Sequence, residues 1–288
     1  MINLPEANNF NFTFVTLELK EVASIALMDS YKDGPCVGVG GKPEDLDTKE
    51  KHLHATRVIF TKYGLSPPAI PQERGIRWIR QHKENVKIVA RSSARTLILG
   101  DSIISGLTRY KNVWEKYLAP QGALNLGVPG DKTQNVLWRM QQIELPEKLR
   151  VLVILVGTNN VAADTPRTIT DGITSIAKVA LEKRVYLKVI VCGLLPRGSK
   201  FSAEREACCR VNEALRKFCD SGIFRGISYL PPEDDWVLPN GHLDMSLYFQ
   251  DSLHLVEAGN VKLCGAFVNA LEKATGGKRK NKRYYHIQ

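Results

Sequence analysis

The chain has 288 residues, 40 Lys and Arg against 30 Asp and Glu, a formal net charge of +10, 43% hydrophobic and 24% charged residues. These values exclude a disordered chain, a fibrous repeat and a small disulfide-stapled scaffold; at roughly 150 residues per domain they allow one large domain or two smaller ones with a full apolar core. The excess charge is local: residues 1–73 carry −3, residues 74–95 carry +6, residues 96–277 only +2, and residues 278–288 hold five basic groups and no acidic ones.

Residues 1–73 are read as an extension of unassigned fold. Residues 12–19 alternate like a strand, residues 34–47 (GPCVGVGGKPEDLD) are loop-like, and residues 66–71 (SPPAIP) form a stiff linker. The first fifteen residues lack a basic head followed by an apolar run, so no export signal is expected. No stretch approaches ~18 consecutive apolar residues, so no membrane span is expected either. The six cysteines, Cys36, Cys192, Cys208, Cys209, Cys219 and Cys264, follow no metal or disulfide spacing. Reduced thiols in an intracellular, cytoplasmic protein are the expectation.

Residues 74–95 form a basic lead-in. Arg74, Arg77, Arg80, Lys83, Lys87, Arg91 and Arg95 recur every three or four positions, which predicts a helix with one basic face. That face is either simply solvated or a phosphate-binding stripe.

From residue 96 to 275 one domain with a strand, loop, helix rhythm is predicted. Apolar runs at 96–99, 124–126, 151–156, 187–192 and 227–230 are continuous rather than alternating, as expected for strands buried on both faces. Helical signals lie between them. Asp131 is read as a cap with Gln134 three positions on, Thr165-Pro166 as a helix start, and residues 202–218 and 256–274 as two further helices. The expectation is an α/β fold: a three-layer α/β/α sandwich around a five-stranded parallel sheet. Residues 276–288 are read as a basic disordered tail.

Sites in such sheets form at the carboxyl ends of strands. Ser102, in a tight strand-to-helix turn, would present a nucleophilic hydroxyl. Its own N–H, the N–H of Gly127 and the side-chain amide of Asn159 would converge on an oxyanion. A serine needs a base, and among six histidines His254 is favoured. It sits directly before the last helix, with Asp251 three residues ahead to hold its tautomer. His242, with Asp244 beside it, lies in a turn-like segment and is the weaker choice.

With these residues placed, the sequence resembles the SGNH, or GDSL-type, hydrolase family. LGDS with Ser102, NLGVPGD with Gly127, GTNN with Asn159 and DSLH with Asp251 and His254 match its four blocks in order. Ile103 stands where the wider family has Leu. The match is closest to catalytic subunits of the platelet-activating-factor acetylhydrolase type, through residues 136–139 (VLWR) and 193–198 (GLLPRG). It also resembles the esterase domain in first-open-reading-frame proteins of some animal non-LTR retrotransposons. The resemblance implies a flavodoxin-like SGNH hydrolase fold and ester hydrolysis without metal or other cofactor. Ser102, Asp251 and His254 would be the triad, and Ser102, Gly127 and Asn159 the oxyanion hole. The implied substrate is a short-acyl, acetyl-type ester of a lipid or small molecule.

The competing reading is a nucleic-acid-binding protein, retrotransposon-derived or Oskar-like, that uses the fold as a platform. Its candidate phosphate contacts are Arg74, Arg77, Arg80, Lys83, Lys278, Arg279, Lys280, Lys282 and Arg283. The same basic flanks suit an anionic membrane or nuclear import. A homodimer is a further partner candidate. Asp101 is read as a helix cap, Asn160 as a turn residue, and Trp138 and Trp236 as core. Arg197 is read as a candidate substrate contact, and Asp131 as a candidate for orienting the site loops.

Overall fold

The computed structural model describes residues 71–276. Readings that fall on residues 1–70 and on Lys278, Arg279, Lys280, Lys282 and Arg283 lie outside the described residues.

Five short parallel strands form the sheet: β1 (Thr96–Gly100), β2 (Ala123–Gly127), β3 (Val151–Leu155), β4 (Lys188–Cys192) and β5 (Ile227–Leu230). Their order is β2-β1-β3-β4-β5. Every residue of β1 and β3 is buried, as continuous apolar runs require when both sheet faces are covered. β5, at the edge, is only half buried apart from one exposed residue.

The helices cover the two faces as connection handedness dictates. α1 (Ile76–Ala90) precedes the sheet; α2 (Ser102–Gly106) and α3 (Lys111–Tyr117) link β1 to β2. α4 (Thr133–Gln142), α5 (Pro166–Lys183) and α6 (Ala203–Asp220) follow β2, β3 and β4, and α7 (Glu257–Thr275) closes the chain. Winding from β1 to β2 runs opposite to winding from β2 through β5. Right-handed crossovers therefore place α3 on one face and α4, α5 and α6 on the other. The packing agrees: α4 lies against α5 and α5 against α6, while α3 lies against α7. The expected three-layer sandwich is thus present.

Local chemistry sets the helix ends. Thr165 Oγ1 accepts from the Thr168 N–H at 3.3 Å, with Pro166 at the first helical position. Ser202 Oγ accepts from the Arg205 N–H at 3.3 Å and starts α6. The cap expected at Asp131 is not formed. α4 begins at Thr133, and Asn135 Oδ1 accepts from the Lys132 N–H at 2.9 Å. Asp131 is fully buried with its carboxylate against Arg139, because that guanidinium, itself fully buried, requires a counter-charge.

α1 is amphipathic. Trp78, His82, Asn85 and Val89 are buried, and Trp78 and His82 meet Trp138 of α4 at ring distances of 5.2 and 4.9 Å. Burial, and next the Arg139 charge, lower His82 to about 4, so it packs as a neutral ring. Arg77, Arg80 and Lys83 share the exposed face, as the spacing predicts. Arg74 departs from that stripe. It precedes the helix and turns inward, donating to the Pro129 carbonyl at 3.0 Å and pairing with Asp131 at 3.4 Å.

Trp236 is buried against Tyr248. The five described cysteines are free thiols; Cys208 is buried and its neighbour Cys209 exposed, on different sides of α6. Among the described residues no helix is long and apolar enough to cross a membrane, and no group of three or more His, Cys, Asp or Glu could hold a metal.

Candidate active site

The register puts the site together. Gly100 pairs with Gly127 on one side and with Leu155 on the other, so β1, β2 and β3 end level. The loops that follow carry Ser102, the 128–131 segment and Asn159 to one sheet edge. β1 and β3 flank the point where the winding reverses, which is where such sheets open a crevice.

Asp101 ends the strand run, and its Oδ1 accepts from the Ile103 N–H at 2.9 Å, capping α2 as expected. Ser102 is therefore the first residue of α2, where a backbone N–H has no intrahelical acceptor. His254 and Asp251 come from the other end of the chain. The Phe249 N–H donates to the His254 carbonyl at 2.8 Å, and Tyr248 bridges Leu255. Within the turn, Asp251 Oδ1 accepts from the N–H groups of Leu253 (3.0 Å) and His254 (2.9 Å).

His254 Nδ1 lies 2.6 Å from Asp251 Oδ2, and His254 Nε2 lies 2.9 Å from Ser102 Oγ. A carboxylate can only accept, so Nδ1 carries the proton and Nε2 is left to accept from the serine hydroxyl. Partial burial disfavours charge on Asp251. The hydrogen bonds from the His254 side chain and from the two backbone N–H groups outweigh it and hold the carboxyl below its ordinary range. Nδ1 thus faces an acceptor that stays ionised. His242, the alternative base, is exposed, and its bonds are local and made by its backbone: the N–H donates to Asn240 Oδ1 and the carbonyl accepts from the Leu238 N–H.

Asn159 is half buried and donates one amide proton to the Asp131 carbonyl at 2.9 Å, leaving its second proton available. Its neighbour Asn160 is fully buried in the same turn. It accepts from the Thr133 N–H at 3.0 Å and donates to Gln134 and Asp164, so its role is to hold the loop.

Gly127 differs from expectation. Its N–H donates to Asn125 Oδ1 at 2.8 Å and is spent. A side chain at 127 would collide with the backbone of Ser105 and Asp101, so this glycine lets β2 pack against α2. The free donor lies three residues on. The Asp131 N–H bonds the Val128 carbonyl at 3.2 Å, and Gly130 has φ 76°. With proline at the second position and a positive φ at the third, residues 128–131 form a type II turn. That turn does not use the Gly130 N–H, which among the described residues donates to no protein group and sits on an exposed loop. The dipeptide Pro129-Gly130 carried this signal in the sequence; the capture of Gly127 by Asn125 did not.

Two further residues were not legible as site components. Arg139, buried in α4, donates to the carbonyls of Leu126 (2.8 Å) and Gly100 (3.1 Å), and its Nε lies 2.9 Å from Asp131. It therefore ties the ends of β1 and β2 together directly beneath the site. Arg205, also buried, donates to the carbonyls of Arg197 (3.0 Å), Gly198 and Gly241 (2.6 Å). Arg197, the candidate substrate contact, is held by Thr158, donating to its carbonyl at 2.7 Å and its hydroxyl at 3.1 Å. It lines a cleft of about 350 Å³ together with Lys200, Phe201 and Asp251.

Comparison with known proteins follows the same lines. The pattern of the GDSL-like lipase/acylhydrolase family matches residues 98–262. The chain is 32% identical over 205 residues to platelet-activating factor acetylhydrolase IB subunit alpha2 of Homo sapiens, covering 69% of this chain and 87% of that protein. It is 34% identical over 199 residues to the alpha1 subunit of Bos taurus, covering 68% and 82%. Among solved structures, a GDSL-like lipase from Bacteroides thetaiotaomicron superposes with a TM-score of 0.53 at 21% identity, over 69% of this chain and 97% of that one.

Proposed function

This chain belongs to the GDSL-like lipase/acylhydrolase family and is a hydrolase of that kind, and from that premise we propose that it cleaves carboxylic esters through an acyl-enzyme on Ser102. The observation that carries the reading is the continuous chain from Ser102 Oγ through His254 to Asp251, at 2.9 and 2.6 Å. His254 Nε2 takes the hydroxyl proton as Oγ bonds the ester carbonyl carbon. The carbonyl oxygen becomes an oxyanion held by the Ser102 N–H, the free Asn159 amide proton and the Gly130 N–H. When the C–O bond to the alcohol breaks, His254 returns the proton to the leaving alkoxide. Water then gives its proton to Nε2, attacks the acyl carbon and releases the acid, restoring the serine.

Gly130 here takes the role first read at Gly127, because the Gly127 N–H is already bonded. A short acyl group, acetyl above all, is favoured by the likeness to proteins named acetylhydrolases. An intracellular setting is favoured by the free thiols.

The test is hydrolysis of p-nitrophenyl acetate by the wild type and by Ser102→Ala. Loss of turnover by about 10³-fold or more is expected, since the nucleophile and its base act as a unit. Equal rates in the two proteins would overturn the assignment.

A further inference from the structure

Resting on the oxyanion site just described, we propose that Arg74 and Trp78, on the lead-in ahead of the sheet, are positioning residues for that site. They act through Asp131, whose location fixes two of the three oxyanion donors.

Asp131 is the junction. Its N–H closes the turn that presents Gly130, and its carbonyl accepts from the Asn159 amide and so aims that group's remaining proton. Its carboxylate, fully buried, decides where this backbone sits. From inside it is met by Arg139 Nε at 2.9 Å. Arg139 cannot follow it, because the same guanidinium is bonded to the ends of β1 and β2.

The outer side of Asp131 is held from the lead-in. The Trp78 indole N–H donates to Oδ1 at 2.6 Å, and the Arg74 guanidinium reaches the same oxygen at 3.4 Å. Arg74 also donates to the Pro129 carbonyl at 3.0 Å and lies against Gly130, its terminal nitrogens 3.2 Å from where a Cβ would stand. The turn is therefore clamped between a fixed arginine below and two donors above. Neither Arg74 nor Trp78 is a catalytic residue, since each reaches the site only through the turn.

Oxyanion donors act only when aimed, and a displacement of about 1 Å can cost ~100-fold in rate. Trp78→Phe keeps an aromatic ring against Trp138 and removes the donor. Arg74→Gln changes a partly exposed side chain and keeps the core intact, so it remains informative if Trp78→Phe folds poorly. Turnover of p-nitrophenyl acetate is measured per Ser102 titrated with a fluorophosphonate, which removes any contribution from unfolded protein.

Both variants are expected to lose about 10-fold in kcat with KM within about twofold, as for an interaction felt in the transition state. Arg74→Lys is expected to recover most of the loss, and Glu84→Gln, on the exposed face of α1, to equal wild type. A kcat within twofold of wild type for either variant overturns the role of that residue. A change in KM alone does the same. If the wild type itself shows no Ser102-dependent turnover, the esterase reading fails instead, so the two failures are distinguishable.

Discussion

Asp251 illustrates what a single residue contributes. Three protons converge on its two oxygens, two from backbone N–H groups in its own turn and one from His254 Nδ1. The carboxyl is held below its ordinary range, so the carboxylate form, and the contribution it makes to the folded turn, is present through neutral pH. That contribution is lost only as pH falls through the depressed value. Asp251→Asn is expected to lower kcat by roughly 10²–10⁴-fold, because an amide does not enforce the Nδ1–H tautomer. The side chain is 49% exposed, and water at Nδ1 can partly substitute for it, which favours the lower end of that range. A steady-state assay that finds the variant within threefold of wild type would remove Asp251 from the triad. At this scale Ser102, His254 and Asp251 were legible because their chemistry is local in sequence: a strand-ending GDS and a DxxH turn. The Gly127 N–H was not, because its fate depends on where the Asn125 side chain turns.

At the scale of elements, the strands were legible from continuous apolar runs and the starts of α5 and α6 from Thr165-Pro166 and Ser202. The cap expected at Asp131 did not form because a carboxylate ahead of a helix has two outlets, the free N–H groups of the first turn or a buried cation. Arg139, eight residues away and concealed within an apolar helix face, decided between them. The Thr165 cap supplies a plain check. Thr165→Ala removes the acceptor for the Thr168 N–H and is expected to destabilise the fold by about 1 kcal/mol. Urea unfolding is the measurement, and an unchanged midpoint would show that Thr165 does not cap α5.

Across the whole molecule, the buried charges beneath the site link stability to pH. Burial raises Asp101 to about 7, with Asp131 adding to the effect against the hydrogen bond from Ile103. The folded state therefore keeps a proton that the unfolded chain releases near its ordinary value of 3.8. Stability from this group declines as pH rises between those two values and is level above about 7. Asp101→Asn retains an acceptor for the cap and cannot ionise. Melting curves between pH 4 and about 8 are expected to slope less for the variant than for wild type. Parallel curves would assign the slope to other groups.

The distance between the two halves of the triad along the chain has its own meaning. Asp251 and His254 organise one another within four residues, whereas Ser102 lies 152 positions from His254. The acid–base half can take shape early and locally, but the nucleophile meets it only once β1 and the segment before α7 have come together across nearly the whole described fold. Closing so long a loop carries an entropic cost that only the packed sheet and α7 can offset. Hydrolysis is therefore a late reporter of folding: in a refolding experiment, turnover marks the joining of the two ends of the domain rather than the formation of any one element.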